Sequence, residues 1–388
     1  MISDADRLFT RPFTAICLAA FFFYVSFYAL LTILPLYVKA IGGTPFQIGL
    51  IIGLFAFVAM LSRPPAGWMI DTRGVRIVLV LGMLVFVIAS FAYMAAHSVV
   101  TILIVRLFHG LGMGLFPTAA TVVVAQVTPP TRRGEAMGWF GIANGLGFML
   151  GPGLGSPLAA WLGFPALFTA SGLAAAAGLG CLLAIPNTSQ TLRPTERLPR
   201  IADLFSRPAL LPSILVLALC IPYGTLISFL PLISLARGLT NAGAAYTVFA
   251  GAVLAIRAKA GSVSDRRGRG AVIIPGLLIE ALAFLLLGLT ADWVSVLGGA
   301  ALYGVAFGSV QPALLALTVD RVRTEDRGKA MATFYTAWEF GIAVGSSGAG
   351  LILQAIDFSS MLLLVGVIPV AGMLLALKLR GLSAAVAN

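Results

Sequence analysis

Residues 67–76 read GWMIDTRGVR, and residues 261–269, displaced by 194 positions, read GSVSDRRGR. The displacement is half of the 388-residue chain, and it superimposes a glycine, an aspartate and an Arg-Gly pair of the first stretch on the same residue types of the second. The shift also relates Arg63 to Arg257, Gly114 to Gly308, Arg133-Gly134 to Arg327-Gly328, Gly147 to Gly341, and Gly151 to Gly345. A fixed displacement over so long a stretch predicts two halves built on one plan.

The composition predicts a membrane protein. Hydrophobic residues make up 60% of the chain, charged residues 10%, and the mean hydropathy is +1.02. These values leave too little polar surface for a water-soluble fold of this length. Apolar runs near the roughly 20 residues that cross a bilayer predict twelve spans at 13–36, 46–70, 77–95, 99–125, 135–162, 166–185, 209–235, 242–264, 271–290, 293–319, 329–353 and 358–379.

The basic residues predict the orientation. If the N-terminus is cytoplasmic, most of the 25 Lys and Arg residues fall in cytoplasmic segments, and only Lys39 and Arg237 fall in the opposite loops. Short loops rich in Lys and Arg stay on the cytoplasmic side, so we expect a multi-pass protein of the cell (inner) membrane, of bacterial type, with both termini cytoplasmic. This orientation accounts for the net charge of +11, and we expect no nucleic-acid partner.

The polar stretch 187–207 separates the two halves. It predicts an N-terminal six-helix bundle at 1–186, a cytoplasmic linker at 187–207 and a C-terminal six-helix bundle at 208–388. Three cysteines, Cys17, Cys181 and Cys220, fall inside predicted spans and form no metal-binding pattern, so we expect neither a disulfide framework nor a metal, and we expect no cofactor.

The two opening stretches resemble the signature of the major facilitator superfamily, which joins helix two to three and eight to nine. Residues 265–269 carry the D-R-x-G-R core in full, whereas the first copy has Thr72 and Val75 where the family usually carries basic residues. The resemblance implies an all-α membrane protein with twelve transmembrane helices in two pseudo-symmetric six-helix bundles. It also implies a conformational latch of the outward-open state, formed by Gly67, Asp71, Gly74, Arg76, Gly261, Asp265, Gly268 and Arg269.

The latch has a plainer alternative, in which both motifs only orient a tight cytoplasmic loop. Physical reasoning favours a partner for the charges. Asp71 and Arg76 each lie at the helix end whose dipole disfavours their charge. Gly67, one turn before Asp71, is expected to let a neighbouring helix approach closely.

The fourth span holds an arginine, Arg106, followed after two residues by His109 on the same helix face. A cation inside the hydrocarbon costs ~2.5 to 3.5 kcal/mol on insertion scales, so it should face a cavity or a partner. The stretch resembles the family's second motif, which implies a role in proton coupling or in binding an anionic substrate group. The alternatives are an arginine that extends toward the interface and a histidine bound to a backbone carbonyl.

The fifth span resembles the antiporter motif of the family's exporters, G-x-x-x-G-P-x-x-G-G, with Ser156 in place of the last glycine. The motif residues are Gly147, Gly151, Pro152 and Gly155. Glycines at four-residue spacing form a smooth face against which another helix packs, and that packing alone is the alternative explanation. In the second half, Ser346 stands at the position equivalent to Pro152, so only the first half carries the motif. This asymmetry favours export.

Of the 14 acidic residues, only Glu280 and Glu339 lie deep within predicted spans. Glu339 is close to the membrane midplane, and we expect it to carry a proton or bind a cation, because burial moves a carboxyl's titration toward physiological pH. The alternative is a carboxylate held by an Arg or Tyr for packing. Glu280 lies in the ninth span, which the resemblance places at the periphery, so we expect a structural or lipid-facing role there.

The remaining candidates line a mainly apolar cavity, by the resemblance: Tyr24, Tyr28, Asn144, Tyr223, Tyr246, Tyr303, Gln311, Tyr335 and Trp338. Such a lining suits an amphipathic or drug-like solute better than a free sugar. Common enzymatic and nucleotide-binding motifs are missing from the sequence, so we expect no enzyme and an ion gradient as the energy source.

The sequence therefore predicts a proton-coupled transporter that exports a small amphipathic or drug-like solute by alternating access. Its expected partners are that solute, protons and the lipid bilayer, and we expect a monomer. One alternative is an importer or facilitator of an organic anion or other metabolite. Another is a transport-inactive membrane sensor or scaffold, which would have no need of an intramembrane Arg106.

Overall fold

The computed structural model describes residues 8–185, 206–323 and 326–383, and all regular secondary structure in those ranges is helical. The α-helices are α1 (Arg11–Ala40), α2 (Pro45–Arg73), α3 (Val75–Ala92), α4 (Val99–Val127), α5 (Arg133–Cys181), α6 (Leu210–Ala236), α7 (Ala244–Arg267), α8 (Gly270–Leu289), α9 (Trp293–Asp320), α10 (Arg327–Ala355) and α11 (Phe358–Ser383). The predicted linker lies outside the described residues except for its last two positions.

Nine of these helical segments are long and apolar enough to cross a membrane, which supports a multi-pass membrane protein. The exceptions are α7 and α10. They cover the predicted spans 242–264 and 329–353, but α7 carries Arg257 and Lys259 and α10 carries Glu339. The described residues therefore give eleven α-helices and nine apolar segments where the sequence predicts twelve spans.

A break inside α5 explains why the described residues form one α-helix fewer than the twelve spans that the sequence predicts. It is 49 residues long, and Gly163 interrupts it with φ 83° and ψ 171°, two residues before Pro165. A straight helix of this length would extend for about 70 Å, more than twice the roughly 30 Å of a hydrocarbon core. The predicted spans 135–162 and 166–185 meet at this break. Glycine suits the position because its φ is positive.

Contacts divide the chain into two units. The first comprises Met1–Tyr37 and Phe57–Leu198, and the second comprises Val38–Ala56 and Pro199–Asn388. The helix α2 is shared, because its first twelve residues pack within the second unit and the rest belongs to the first.

The internal repeat of the sequence reappears in the contacts within each unit. A Cβ added at Gly114 would lie 2.8 Å from the Ala59 carbonyl oxygen, and one added at Gly308 would lie 2.8 Å from the Val253 carbonyl oxygen. Other residues related by the same shift also touch, in the pairs Gly82 with Phe116 and Gly276 with Val310. Equivalent helices therefore approach each other through equivalent glycines, which is why these positions are glycine in both halves.

In the first unit, the glycine face of α5 packs against α1. A Cβ added at Gly147 would lie 2.6 Å from the Tyr24 Cβ. One added at Gly151 would lie 2.9 Å from the Tyr28 Cβ, and one added at Gly155 would lie 3.2 Å from Ala29. These distances are at or below the limit of ordinary contact, so the two backbones approach as closely as side chains permit.

In the second unit, α10 packs against α6 in the same way. A Cβ at Gly345 would overlap the carbonyl group of Ile221, and one at Gly341 would lie 2.8 Å from the Cys220 Cβ. The hydroxyl of Thr225 donates to the Gly345 carbonyl oxygen at 3.1 Å. The first turns of α2 also lie against α10 within this unit, where Gly49 and Gly53 meet the serine pair at 346–347.

Candidate functional site

The second copy of the signature forms a charge network. Arg269, between α7 and α8, pairs with Asp265 of α7, with Asp320 of α9 at 2.8 Å, and with the Ser264 hydroxyl at 3.2 Å. Gly268 has φ 85°, a conformation that side chains other than glycine rarely adopt. The guanidinium therefore joins the ends of three helices at one loop.

The first copy is arranged differently. Asp71 is exposed, and among the described residues no ion pair is recorded for it. Arg76 donates to the Ile185 carbonyl oxygen at 3.0 Å, and Gly74 has φ 93° before α3. The glycine turn is therefore common to both copies, while the ion-pair network belongs to the second. The difference agrees with the sequence, in which Thr72 and Val75 stand where the family usually carries basic residues.

The close helix approach expected at Gly67 is wrong for this structure. No described atom outside its own helix turn and chain neighbours lies within 4 Å of a Cβ built at Gly67, and the same holds at Gly261. Both glycines lie near the end of a helix, where it faces open space. These two positions therefore have no packing requirement for glycine in this structure.

We expect Arg269→Gln to lower stability by up to about 1 kcal/mol per ion pair, because its partners are largely exposed and water screens such pairs. Thermal unfolding of the purified protein at low and high salt would measure it. The difference between wild type and variant should shrink in high salt. A salt-independent loss would contradict the ion-pair explanation, and Asp320→Asn, alone and combined with Arg269→Gln, isolates one pair.

In the first unit, Arg106 and His109 are enclosed rather than exposed to a cavity. Both are 0% exposed, and so is Tyr93, whose hydroxyl lies 3.2 Å from His109 Nδ1 and also interacts with Arg106. The His109 and Phe86 rings meet edge to face with centroids 4.1 Å apart. An arginine extending toward the interface is therefore excluded, and the partner of both residues is the phenol of Tyr93.

A second polar group in this unit lies where α1 meets α5. Tyr28 donates to the Asn144 side-chain oxygen at 3.1 Å and stacks on Phe148 with ring centroids 4.3 Å apart. Tyr24 is 6.0 Å from Tyr28 between ring centroids. Three predicted cavity residues therefore lie together, directly beside the glycine face of α5.

In the second unit, an aromatic cluster includes the neighbour of Glu339 in the sequence. Tyr223 lies 4.7 Å from Phe307 and 6.4 Å from Trp338 between ring centroids. Glu339, which follows Trp338 in α10, is 6% exposed and lies within electrostatic range of Cys220 and Tyr223 of α6. The carboxyl is therefore buried in the same unit as this aromatic cluster.

The cavity interpretation does not hold for two tyrosines. Tyr246 and Tyr303 are 2% and 1% exposed, and their hydroxyls donate to the carbonyl oxygens of Ile227 at 2.8 Å and Leu219 at 3.2 Å. They join α7 and α9 to α6 inside the unit. A tyrosine in a span gives no sequence signal that separates these roles, because its ring suits both.

Gln311 and Tyr335 complete the predicted set. Gln311 accepts a hydrogen bond from Arg257 of α7 at 2.6 Å, and Tyr335 lies 5.6 Å from Phe334 between ring centroids. Sequence reasoning missed Arg257 as a site residue, although an arginine within a predicted span carried the same signal as Arg106. It also missed Cys220, which only the fold brings within electrostatic range of Glu339.

The sequence model of the Major Facilitator Superfamily matches residues 16–261 and 239–387, most of the chain. The chain belongs to the major facilitator superfamily. It is therefore a membrane transporter of this type. An uncharacterized MFS-type transporter of Methanocaldococcus jannaschii, MJ1560, is 25% identical over 344 residues, which cover 85% of this chain and 88% of that protein.

Two other similar proteins bear on the comparison. The quinolone resistance protein NorA of Staphylococcus aureus is 26% identical over 139 residues, 36% of each chain. The crystal structure of a POT family transporter in complex with 5-aminolevulinic acid superimposes with a TM-score of 0.84 at 14% identity, covering 97% of both chains. At that identity the superposition shows a shared fold.

Proposed function

We propose that this superfamily member is a proton-coupled exporter of a small amphipathic or drug-like solute. In this proposal α7 and α10 also cross the membrane and α5 crosses it twice, on either side of Gly163, which gives twelve spans with both termini cytoplasmic. The protein then transports by alternating access, as inverted and repeated transporter folds do.

The observation that carries the proposal is the burial of Glu339, next to Trp338 in α10. An ionised carboxylate is costly in a buried environment, and a protonated one is less so. A residue that binds a proton in one state of the cycle and releases it in another needs this property. The rings of Tyr223, Phe307 and Trp338 offer contact area for an apolar solute beside it.

Two further observations support export. The glycine face of α5, which resembles the exporters' antiporter motif, lies directly against Tyr24 and Tyr28 of α1. The partial likeness to NorA points in the same direction, although the matched segment covers 36% of the chain. The organic-anion alternative has less support, because Arg106 is enclosed with Tyr93 and His109 and offers no exposed surface to a solute.

The test is reconstitution of the full-length protein in liposomes that contain a pH-sensitive dye. Cationic amphipathic drugs, organic acids and sugars are added in turn. The proposal expects proton movement only with cationic amphipaths. Solute movement without proton movement would indicate a facilitator, proton movement with organic acids would support the alternative substrate class, and no movement across the panel would contradict the proposal.

We expect Asp71→Asn to abolish transport while expression and folding stay normal. The side chain is exposed and has no recorded ion pair among the described residues, so its neutralisation costs the fold little, whereas a latch depends on its charge. Initial transport rates and size-exclusion profiles of wild type and variant would measure this. The matched control is Asp265→Asn in the second copy, and wild-type rates in Asp71→Asn would refute the latch.

A further inference from the structure

A second carboxyl is buried inside the second unit. Glu280 lies ten residues after the start of α8, about 15 Å along the helix at 1.5 Å per residue. Its side chain is 0% exposed, so the lipid-facing role expected from the sequence is wrong. An ionised carboxylate enclosed in this way carries a large desolvation cost unless a cation or several donors compensate it.

The surroundings of Glu280 fit the protonated form. Its neighbour is the Tyr303 hydroxyl, yet neither carboxyl oxygen has a hydrogen bond of full geometry to a described residue. The Tyr303 hydroxyl points its hydrogen to the Leu219 carbonyl oxygen, 3.2 Å away. A phenol has one hydrogen, so its oxygen is left as an acceptor. A carboxylic acid can donate to that oxygen, and a carboxylate cannot.

The charged and titratable groups described near Glu280 offer it no counter-ion. Those recorded in its electrostatic surroundings are Tyr303 of α9, Cys220 and Tyr223 of α6, Tyr246 of α7 and Glu339 of α10. The cation Arg257 of α7 donates to Gln311 at 2.6 Å, eight residues or about 12 Å from Tyr303 along α9. The helix α11 packs against α8 through Gly366 and Gly372, and its Lys378 is exposed. Arg237 donates to the Leu287 carbonyl oxygen at 2.6 Å, seven residues or about 10 Å further along α8. Among the described residues, no cation is recorded against the Glu280 carboxyl.

A second acid of the same unit is also buried. Glu339 lies twelve residues after the start of α10, about 18 Å along it, so the two acids lie at similar depths in their helices. Cys220 of α6 lies within electrostatic range of both carboxyls. Since both acids are buried, a protonated-acid signal can be assigned to one of them only by separate variants.

The internal repeat shows that packing does not require a carboxyl at this position. A shift of 194 residues relates Glu280 to Phe86 and Tyr303 to His109. In the first unit, that pair is an edge-to-face aromatic contact between α3 and α4, and the neighbouring pairs Gly82 with Phe116 and Gly276 with Val310 show that the helices correspond. One half therefore fills the position with a phenyl ring, and the other with an acid.

We propose that Glu280 is a second proton-binding carboxyl of this transporter, enclosed beside the Tyr303 hydroxyl. The role of this proton in transport rests on the proposed function, but proton binding at Glu280 can itself be observed without any solute. A proton taken up at this position would add to the proton carried by Glu339, so that the second unit holds two exchangeable protons.

The test is difference infrared spectroscopy of the purified full-length protein between about pH 5 and about pH 9, a range that includes the titration of buried carboxyls. The carbonyl stretch of a protonated acid is the readout. The variants are Glu280→Gln, which keeps the shape without the proton, Tyr303→Phe, which removes the hydrogen-bond acceptor, and Glu339→Gln. The control is Asp357→Asn, an exposed carboxyl that caps α11.

The expected result is a protonated-acid band that is lost reversibly as the pH rises. It is absent in Glu280→Gln, shifted in frequency in Tyr303→Phe and unchanged in Asp357→Asn, and it persists in Glu339→Gln, which assigns it to Glu280. A band that persists in Glu280→Gln, or a Glu280 band that does not respond to pH, would overturn the proposal. If Glu280→Gln does not fold, the proposal is judged by the frequency shift of the band in Tyr303→Phe, and an unshifted band would overturn it. A titrating Glu280 in a protein without solute-driven proton flux would refute the proposed function and leave this site standing.

Discussion

Glu339→Gln is expected to reduce solute-driven proton flux by about 100-fold or more, the order of effect associated with losing an essential proton-transfer group. Glutamine has nearly the same shape and can still form hydrogen bonds, but it cannot release a proton. The side chain is 6% exposed, so a swap that keeps its shape preserves the packing around it. Binding of the solute should therefore survive while coupling is lost.

Two measurements on the same preparation separate these effects. Proton flux in liposomes reports coupling, and stabilisation of the protein against heat by the added drug reports binding. Glu135→Gln is the matched control, because Glu135 is exposed and pairs with Arg132 at the start of α5. Wild-type proton flux in Glu339→Gln would remove the residue from the mechanism. Loss of binding together with flux would indicate a structural carboxylate instead.

Gly345→Val is expected to destabilise the second unit by about 1 to 3 kcal/mol or more, the range for forcing atoms into a packed interior. A Cβ at this position would overlap the carbonyl group of Ile221, which is backbone and cannot rotate away. The substitution would also disturb the Gly345 carbonyl that accepts from Thr225. Thermal unfolding in detergent and the yield of monodisperse protein are the measurements.

Gly348→Val provides an internal control on the same helix. No described atom lies within 4 Å of a Cβ built at Gly348, so valine there meets open space three residues away from Gly345. The two variants have the same change in volume and the same cost in helix propensity. Equal losses of stability would show that the close approach of α10 to α6 does not carry the effect, and a near-native Gly345→Val would contradict the packing itself.

Much of the architecture could be predicted from the sequence. Apolar runs predicted helical membrane segments, and the shift of 194 residues predicted two halves built on one plan. Equivalent contacts do recur in both units, such as Gly114 with Ala59 and Gly308 with Val253. The four-residue spacing of Gly147, Gly151 and Gly155 predicted a face for another helix, and that helix is α1. These signals are local or periodic, so they are visible without coordinates.

The assignment of side chains to cavities and cores was less predictable. Tyr246 and Tyr303 were predicted to line a cavity, and both are enclosed with hydroxyls bound to carbonyl groups of α6. Glu280 was expected at the periphery, and it is buried. In a membrane protein the lipid-facing surface is as apolar as the core, so hydrophobic periodicity does not reveal which face of a helix points inward.

The sequence by itself determined a helical, multi-pass membrane protein of the major facilitator superfamily, its internal repeat and its glycine turns, because composition, repeat spacing and positive φ are properties of short segments. Only the tertiary structure decided that Arg269 joins three helices, that Tyr93 lies against Arg106 and His109, and that Glu280 is enclosed beside Tyr303. These contacts join residues far apart in the chain, and the packing of helices alone brings them together.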